Sequence, residues 1–259
     1  MKNAQEIKKF FDENGYYMAR RVFGPAALKE LERDFDQIVA LNTAKNDNSN
    51  RRWVGENKEL KESPADTVII HTHQVQSYSA RWLQAMQDKA FLDIVEALIG
   101  PDIMLHHSKL FQKPAEKGAP FSMHQDWSYF PSIKDTMMAG SIHVSRATDE
   151  MGCLRVYPGS HKLGRADNTN GQTKSDFLEK NYPLAGAKIM EGEPGDVLFF
   201  SYFTIHGSMP NRSPHVRKNV LVQMHSGHDR IESSNQHLNS RLVLRGFNHI
   251  ATRSYVESS

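Results

Sequence analysis

The chain has 259 residues, of which 39% are hydrophobic and 24% charged, as expected for a globular protein with a buried core. Its 32 basic and 30 acidic residues are mixed along the chain, which argues against nucleic acid as a partner. A single cysteine excludes an internal disulfide framework. Because the N-terminus also lacks an apolar leader and no run is long enough to span a membrane, we expect a cytoplasmic protein. The 13 histidines are the first indication of metal or proton chemistry.

The first hundred residues read mainly as helices. The segment AQEIKKFFDENG predicts a helix that ends near Gly15, and YYMARRVF predicts a short strand. A second helix is predicted to start at Pro25, because apolar residues recur on one helical face at Leu28, Leu31, Phe35 and Ile38. Residues 42–66 are polar and predict a loop or lid. The segment SARWLQAMQDKAFLDIVEALIG predicts a further helix that stops at Gly100.

From residue 102 onward the pattern changes to short β segments separated by turns, namely DIMLHHSKLFQK, FSMHQDWSYF, MMAGSIHVSR, GCLRVYPG, GDVLFFSYFTIHG and RKNVLVQMHSG. Their spacing predicts a mainly β fold, a β-sandwich or jelly roll with flanking helices. A polar insertion at residues 162–193 is a second candidate lid. We predict one domain, with a helical buttress at 1–100, a jelly-roll core at 101–230 and a C-terminal extension at 231–259.

The stretch MHQDW places a histidine and an aspartate two residues apart. If this stretch is a strand, His124 and Asp126 lie on the same face and can chelate one metal ion together. A His-x-Asp pair by itself is weak evidence, because a hydrogen-bonded or surface pair gives the same pattern in a chain rich in histidine. A third ligand elsewhere in the chain is needed to favour the metal.

The segment GDVLFFSYFTIHGSMPNRSPHVRKNV supplies a candidate. It predicts an apolar strand that ends at His206, followed after a Pro/Asn turn by Arg217. Two histidines and one carboxylate on adjoining strands form the ligand set of non-haem Fe(II) oxygenases, which leaves positions open for an α-keto acid and O₂. A guanidinium matches the far carboxylate of such a keto acid with two parallel hydrogen bonds. The alternative is that Arg217 forms a surface ion pair. It begins a strand on which one face is shared by Arg217, Asn219, Leu221 and Gln223.

The motifs MHQDW, YFP, GCLRVYPGSHK, GDVLFF, IHGS and VRK, in this order, resemble the phytanoyl-CoA dioxygenase family of Fe(II)/2-oxoglutarate oxygenases. The resemblance runs from about residue 98 to 225. It implies a double-stranded β-helix, a cupin-like jelly roll with iron between its sheets. It also implies that the metal ligands are His124, Asp126 and His206, and that the cosubstrate's C5 carboxylate is bound by Arg217 and Ser208. The implied cofactors are Fe(II), 2-oxoglutarate and O₂.

Two details qualify the resemblance. Many members carry a Trp at the start of the strand that reads MMAGSIHVSR here, so the small residues of this chain predict a wider cosubstrate pocket. Relatives that transfer halide have a small residue in place of the carboxylate. The presence of Asp126 therefore favours hydroxylation, in which 2-oxoglutarate and O₂ yield succinate, CO₂ and a hydroxylated carbon.

A polar inner wall indicates a small anionic or zwitterionic substrate, although the same residues could lie on the outer, solvated face. The candidates are Lys109, Gln112, Trp127, Tyr129, His143 and Arg155. His106 and His107 are expected to be ordinary strand residues, because the metal already has three ligands. An aminoalkylphosphonate-like compound is one specific candidate substrate. The alternatives are desaturation or cyclisation of a natural product, acyl-CoA hydroxylation, or a metal-binding module without turnover. The oligomeric state is left open.

Overall fold

Four helices pack against the outer face of a β-sheet. The computed structural model describes residues 3–44, 53–54, 68–166, 175–235 and 237–252. Within these residues the first four helices are α1 (Ala4–Asn14), α2 (Pro25–Ala44), α3 (Ala80–Met86) and α4 (Lys89–Ile99). Two of them, α1 and α2, coincide with predicted helical segments. The Asn3 side chain accepts a hydrogen bond from the Glu6 amide, Gly15 ends α1 with φ of 78°, and Pro25 opens α2.

The single helix predicted from residue 79 to Gly100 is wrong, because the chain breaks into α3 and α4. Ser79 caps α3 by accepting from the Trp82 amide. Asp88 caps α4 by accepting from the amides of Ala90 and Phe91. An aspartate whose carboxylate binds free backbone amides favours a helix start over a helix interior.

The larger sheet holds eight strands within the described residues. They are β1 (Tyr16–Ala19), β2 (Trp53–Val54), β3 (Val68–His73), β4 (Ile103–Lys113), β6 (Met138–His143), β9 (Val197–Ser201), β11 (Arg217–Ser226) and β12 (Leu242–Arg245). Their order is β1-β9-β6-β11-β4-β3-β2. Strand β12 pairs with the first residues of β4, and β3 pairs with the later ones. All the pairs are antiparallel. The N-terminal buttress and the C-terminal extension therefore both add strands to the core sheet.

The smaller sheet has the order β5-β10-β7-β8. Its strands are β5 (Phe121–His124), β7 (Leu154–Val156), β8 (Lys188–Ile189) and β10 (His206–Ser208). Two predictions need correction here. Strand β5 ends at His124 and a 3-10 turn over Asp126–Ser128 follows, so the two residues are not on one strand. The segment GDVLFFSYFTIHG is not one strand either, because β9 lies in the larger sheet and β10 in the smaller.

Apolar clusters lie on both sides of the larger sheet. The face toward the helices is packed with buried residues such as Phe35, Trp82, Phe91 and Phe199. A smaller apolar cluster lies between the two sheets, with Leu198 and Phe200 from the larger sheet and Val156 from the smaller. Two antiparallel sheets that face each other in this way form the predicted jelly roll. The space between them is where functional side chains can meet.

The predicted lids fall partly outside the described residues. Of the 42–66 segment, residues 45–52 and 55–66 lie outside them. The 162–193 segment contains α5 (Asp176–Asn181), a 3-10 turn over Leu184–Gly186 and strand β8, while residues 167–174 lie outside. Across the described residues, none of the helices is both long and apolar enough to cross a lipid bilayer.

Candidate active site

His124, Asp126 and His206 converge between the two sheets. His206 on β10 is the direct partner of His124 on β5, so the two imidazoles project to the same side. The turn after β5 is held by the Asp126 amide, which donates to the Tyr202 carbonyl at 2.9 Å. This brings Asp126 Oδ1 within 3.5 Å of His124 Nε2 and 3.7 Å of His206 Nε2. All three ligand atoms lie within 4.8 Å of one another.

Backbone carbonyls orient both imidazoles for metal binding. Nδ1 of His124 lies 2.8 Å from the Ser122 carbonyl, and Nδ1 of His206 lies 2.9 Å from the Thr204 carbonyl. A carbonyl can only accept, so Nδ1 carries a proton in each ring, and Nε2, which faces Asp126, is the atom that binds a metal ion once it is unprotonated. Gln223 Nε2 donates to Asp126 Oδ2 at 2.7 Å and leaves Oδ1 toward the histidines. Two imidazole nitrogens and one carboxylate oxygen fit Fe(II) with positions left open.

The charge states of these side chains suit a cation. Burial by itself would raise the pKa of Asp126, but the charge of His206 and the hydrogen bonds from His124 and Gln223 outweigh it and hold the pKa at about 2. Burial lowers the pKa of His206 to about 4. Burial also opposes the charging of His124, but the hydrogen bond and charge of Asp126 prevail and raise its pKa. The site therefore carries an ionised carboxylate at neutral pH, which attracts a metal ion.

Two buried cations lie at one end of the inner face. Arg217 and Lys113 are direct partners across β11 and β4. Arg217 donates to the Gly152 carbonyl and, at 3.0 Å, to Asn219 Oδ1, while Lys113 Nζ donates to Ser208 Oγ at 2.7 Å. Within the described residues neither cation has an ion pair with a carboxylate. Burial lowers the pKa of Arg217 to about 10 and that of Lys113 well below its usual range. A buried positive charge without a counter-ion is costly, so this end of the site favours an anion.

The family model for phytanoyl-CoA dioxygenase (PhyH) matches residues 11–219. The chain belongs to the phytanoyl-CoA dioxygenase family. A probable alpha-ketoglutarate-dependent hypophosphite dioxygenase of Stutzerimonas stutzeri is 26% identical over 229 residues, which cover 85% of this chain and 77% of that protein. The peroxisomal phytanoyl-CoA dioxygenase of Homo sapiens is 26% identical over 225 residues, which cover 83% of this chain and 66% of the human protein.

A solved structure supports the fold of this family member. The epimerase SnoN, in complex with Fe³⁺, alpha ketoglutarate and nogalamycin RO, superposes with a TM-score of 0.72 at 17% identity. The match covers 89% of this chain and 86% of SnoN. The predicted jelly-roll fold is therefore confirmed. The predicted enzyme class, a dioxygenase that uses iron, 2-oxoglutarate and O₂, is confirmed by the family.

Two of the residues predicted to contact substrate lie beside the triad. The Tyr129 ring centroid is 6.2 Å from that of His124. Lys109 is close enough for its charge to act on His124, and Asp126 in turn acts on Lys109. Trp127 is directed into an apolar cluster with Phe130 and Tyr202, and its Nε1 donates to Gln125 Oε1 at 3.0 Å.

The other three predicted substrate residues lie elsewhere. His143 is buried on β6 near Arg217, where its ring packs against Gly192. Arg155 forms a two-pronged ion pair with Asp149, at 2.8 and 2.9 Å, and donates to the Leu184 carbonyl. Gln112 lies on the face of β4 opposite Lys109, by strand alternation. The structure thus does not bring these three together with Lys109 and Tyr129.

The sequence reading did not identify Lys113 or the role of Gln223. Lys113 is four residues after Lys109 on β4, so strand alternation places both lysines on one face, and that spacing was an available signal. Gln223 was placed on the same face as Arg217, which is confirmed, but its contact with Asp126 joins residues 97 positions apart. No local pattern encodes such a contact.

Proposed function

We propose that this protein is an Fe(II)- and 2-oxoglutarate-dependent hydroxylase of a small, polar or anionic metabolite. The observation that carries the proposal is the meeting of three ligand atoms, on His124, Asp126 and His206, between the same two sheets as the buried guanidinium of Arg217. Among the described residues this guanidinium has no carboxylate partner and donates to the Gly152 carbonyl and to Asn219. A binding module without turnover would need the metal ligands, but it would have no use for a buried cation that receives a cosubstrate.

Each residue has a defined part in this proposal. His124 Nε2, Asp126 Oδ1 and His206 Nε2 would hold Fe(II), which would supply open positions for the keto acid and for O₂. Arg217 would bind the C5 carboxylate of 2-oxoglutarate. The nearby hydroxyl of Ser208 would donate a hydrogen bond to the same carboxylate. Lys113 fixes the Ser208 hydroxyl and adds positive charge there. Overall, R–H, 2-oxoglutarate and O₂ give R–OH, succinate and CO₂.

The expected outcome is hydroxyl transfer because Asp126 retains the carboxylate that occupies one metal position. The substrate is expected to be small and anionic because Lys109 and Tyr129 flank the triad. An aminoalkylphosphonate-like compound fits this description. The relative named as a hypophosphite dioxygenase also acts, by its name, on a small phosphorus oxyanion.

The test is an anaerobic titration of the metal-free protein with Fe(II) and 2-oxoglutarate. A visible charge-transfer band of the chelated keto acid should appear. Arg217→Ala should weaken 2-oxoglutarate binding about 100-fold or more, because it breaks a desolvated charge pair. Arg146→Ala is the matched control, since the side chain of Arg146 is 66% exposed and pairs with Glu193 at the surface. No band in the wild-type protein, or an unchanged affinity in Arg217→Ala, rejects the proposal.

Turnover is tested by succinate release in a screen of phosphonates, betaine-like solutes, amino acids and acyl-CoAs. Product analysis by mass spectrometry should show a gain of one oxygen atom in the accepted substrate. His206→Ala should release no iron-dependent succinate, whereas His215→Ala, at an exposed position, should behave as wild type. Retained turnover in His206→Ala would remove His206 from the metal site.

A further inference from the structure

Three histidines from different parts of the chain stack together beside the metal triad. The rings of His107 and His237 are parallel, with centroids 4.8 Å apart and an interplanar angle of 7°. The ring of His73 stacks on that of His237, with centroids 5.3 Å apart, and is tilted against that of His107, with centroids 6.2 Å apart. We call these three residues the imidazole cluster. The sequence reading treated His107 as an ordinary strand residue.

Strand pairing and a β-bulge assemble this cluster. His73 on β3 is the direct partner of Lys109 on β4. The β11–β4 register shifts between Gln223 and Met224, so that Gln223 faces His107 and Met224 faces Leu105, and His106 is the extra residue. A bulge of this kind re-aims side chains, and the rings of His106 and His107 meet through their Nδ1 atoms at 2.6 Å. His237 arrives from the segment between β11 and β12.

The cluster adjoins the metal triad on two sides. Tyr129 bridges them, with its ring centroid 6.2 Å from His124 and 6.0 Å from His237. Gln223 also bridges them, because it is the register partner of His107 and donates to Asp126. Gln223 Oε1 is buried and has no partner among the described residues. Anything bound at the cluster would therefore lie next to the metal.

Lys109 carries the positive charge of this region. Its charge acts on His73, His107, His237 and the metal ligand His124. Over the described ranges Lys109 has no hydrogen bond or ion pair, and Asp126 is the acidic group whose charge reaches it. The ring nitrogens of His73 and His237 likewise have no hydrogen-bond partner in that part of the chain. Hydrogen-bond donors and one cation thus lie side by side here, and among the described residues no carboxylate forms an ion pair with them.

The arrangement does not suit a second metal ion. Two groups of metal-binding side chains among the described residues have ligand atoms within 4.8 Å of one another, and the imidazole cluster is not one of them. Nδ1 of His107 is already in contact with Nδ1 of His106 at 2.6 Å, and the ammonium of Lys109 would repel a cation. Burial lowers the pKa of His73 to about 3 and that of His237 to about 4, so both rings are neutral at pH 7 and each keeps one N–H donor.

We propose that Lys109 and the imidazole cluster bind the charged group of the substrate, and that this group is a tetrahedral oxyanion such as a phosphonate or sulfonate. The donors come from β3, from β4, from the segment after β11 and from Tyr129, so a group bound among them would be contacted from several elements. A tetrahedral oxyanion offers acceptors in several directions, whereas a planar carboxylate is satisfied by one guanidinium fork. This inference rests on the proposed function, because it places the carbon attached to the oxyanion toward the metal triad.

Isothermal titration of the metal-free protein separates this inference from the enzyme assignment, since it needs neither iron nor turnover. The probes are methylphosphonate, methanesulfonate and acetate. We expect the two tetrahedral oxyanions to bind and acetate to bind at least about tenfold more weakly. Lys109→Met should weaken methylphosphonate binding about tenfold or more, and His237→Phe should weaken it about fivefold. Lys89→Met and His215→Phe, at exposed positions, should change nothing.

A second measurement distinguishes substrate binding at Lys109 and the imidazole cluster from 2-oxoglutarate binding at Arg217 and Ser208. In the Fe(II) protein, Lys109→Met and His237→Phe should keep the wild-type affinity for 2-oxoglutarate, read from the charge-transfer band. If Lys109→Met lost affinity for 2-oxoglutarate and for methylphosphonate equally, Lys109 would be assigned to cosubstrate binding and the inference would be overturned. Acetate binding as tight as methylphosphonate, or oxyanion binding unchanged in Lys109→Met, would also overturn it. Lys109→Gln replaces the methionine variant if that variant fails to fold.

Discussion

Gln223 and Asp126 connect the two sheets at the metal site: the amide of Gln223 on β11 donates a 2.7 Å hydrogen bond to Oδ2 of Asp126 in the turn after β5. Both residues are buried. The larger sheet therefore sets the orientation of a ligand that the smaller sheet supplies. Partners of this kind affect metal affinity although they do not touch the metal.

Replacing Gln223 by Leu should weaken Fe(II) binding by about 10- to 100-fold, because Asp126 loses the contact that directs Oδ1 toward the histidines. An anaerobic Fe(II) titration of the two proteins measures the effect. Gln84→Leu, at an exposed position of α3, is the control. If the Gln223 variant bound iron as tightly as the wild type, the hydrogen bond would have no role in orienting the ligand.

Ser208→Ala should have a much smaller effect on the cosubstrate than Arg217→Ala. Loss of one neutral hydroxyl costs about 1 kcal/mol, or about fivefold in affinity, whereas loss of the buried guanidinium costs about 100-fold or more. Titration of the charge-transfer band with 2-oxoglutarate measures both. A serine variant as damaging as the arginine variant would mean that the hydroxyl also holds Lys113 in place, since Lys113 Nζ donates to it.

Lys109→Met should stabilise the metal-free protein at neutral pH while it impairs substrate binding. Burial lowers the pKa of Lys109 to about 8, whereas a lysine in the unfolded chain titrates near about 10.4. Between these values the unfolded state binds more protons, so the contribution of this group to stability rises with pH and its penalty is fully present below pH 8. The variant should therefore gain about 1–3 kcal/mol in the free energy of unfolding at pH 7.

Urea unfolding at pH 7 and at high pH checks this prediction. The difference between Lys109→Met and wild type should shrink as the pH approaches about 10.4, where the unfolded chain also loses the proton. Lys89→Met should show no gain, because the Lys89 side chain is 85% exposed. A Lys109 variant that is less stable at pH 7 would show that the contact of the ammonium with the Phe111 ring, 4.9 Å from its centroid, outweighs the cost of burial.

Phe91→Ala should destabilise the fold without changing the site. Phe91 is fully buried between the helices and the larger sheet, with its ring 5.3 Å from that of Phe199. Its truncation should lower the free energy of unfolding by about 3–5 kcal/mol, through lost burial and the cavity that remains. Phe247→Ala, at a residue 72% exposed, should change it by less than about 0.5 kcal/mol. Folded Phe91→Ala should bind 2-oxoglutarate normally; a weakened affinity would show coupling between the outer core and the inner face.

Several features of this protein could be predicted from local sequence. Helix starts and ends are encoded by capping residues and by apolar period, which is why α1 and α2 were predicted correctly. The strands β4 and β11 follow from their apolar and β-branched content. The helix break at Asp88 was not predicted, because the apolar helical pattern continues across this residue. Its role as the N-cap of α4 is recognised only from the structure.

The metal-binding motif is local enough to be recognised in the sequence: a histidine and an aspartate two positions apart, a histidine before a glycine, and an arginine at the start of a strand. What only the tertiary structure decided is which remaining polar residues share the space between the sheets. His73, His107, Lys109 and His237 meet through strand pairing, a bulge and a distant loop. Strand alternation states which residues lie on the same face, but not which face is inside. The inner face is decided by long-range strand pairing, because the packing of the whole sheet determines which side is buried between the two sheets.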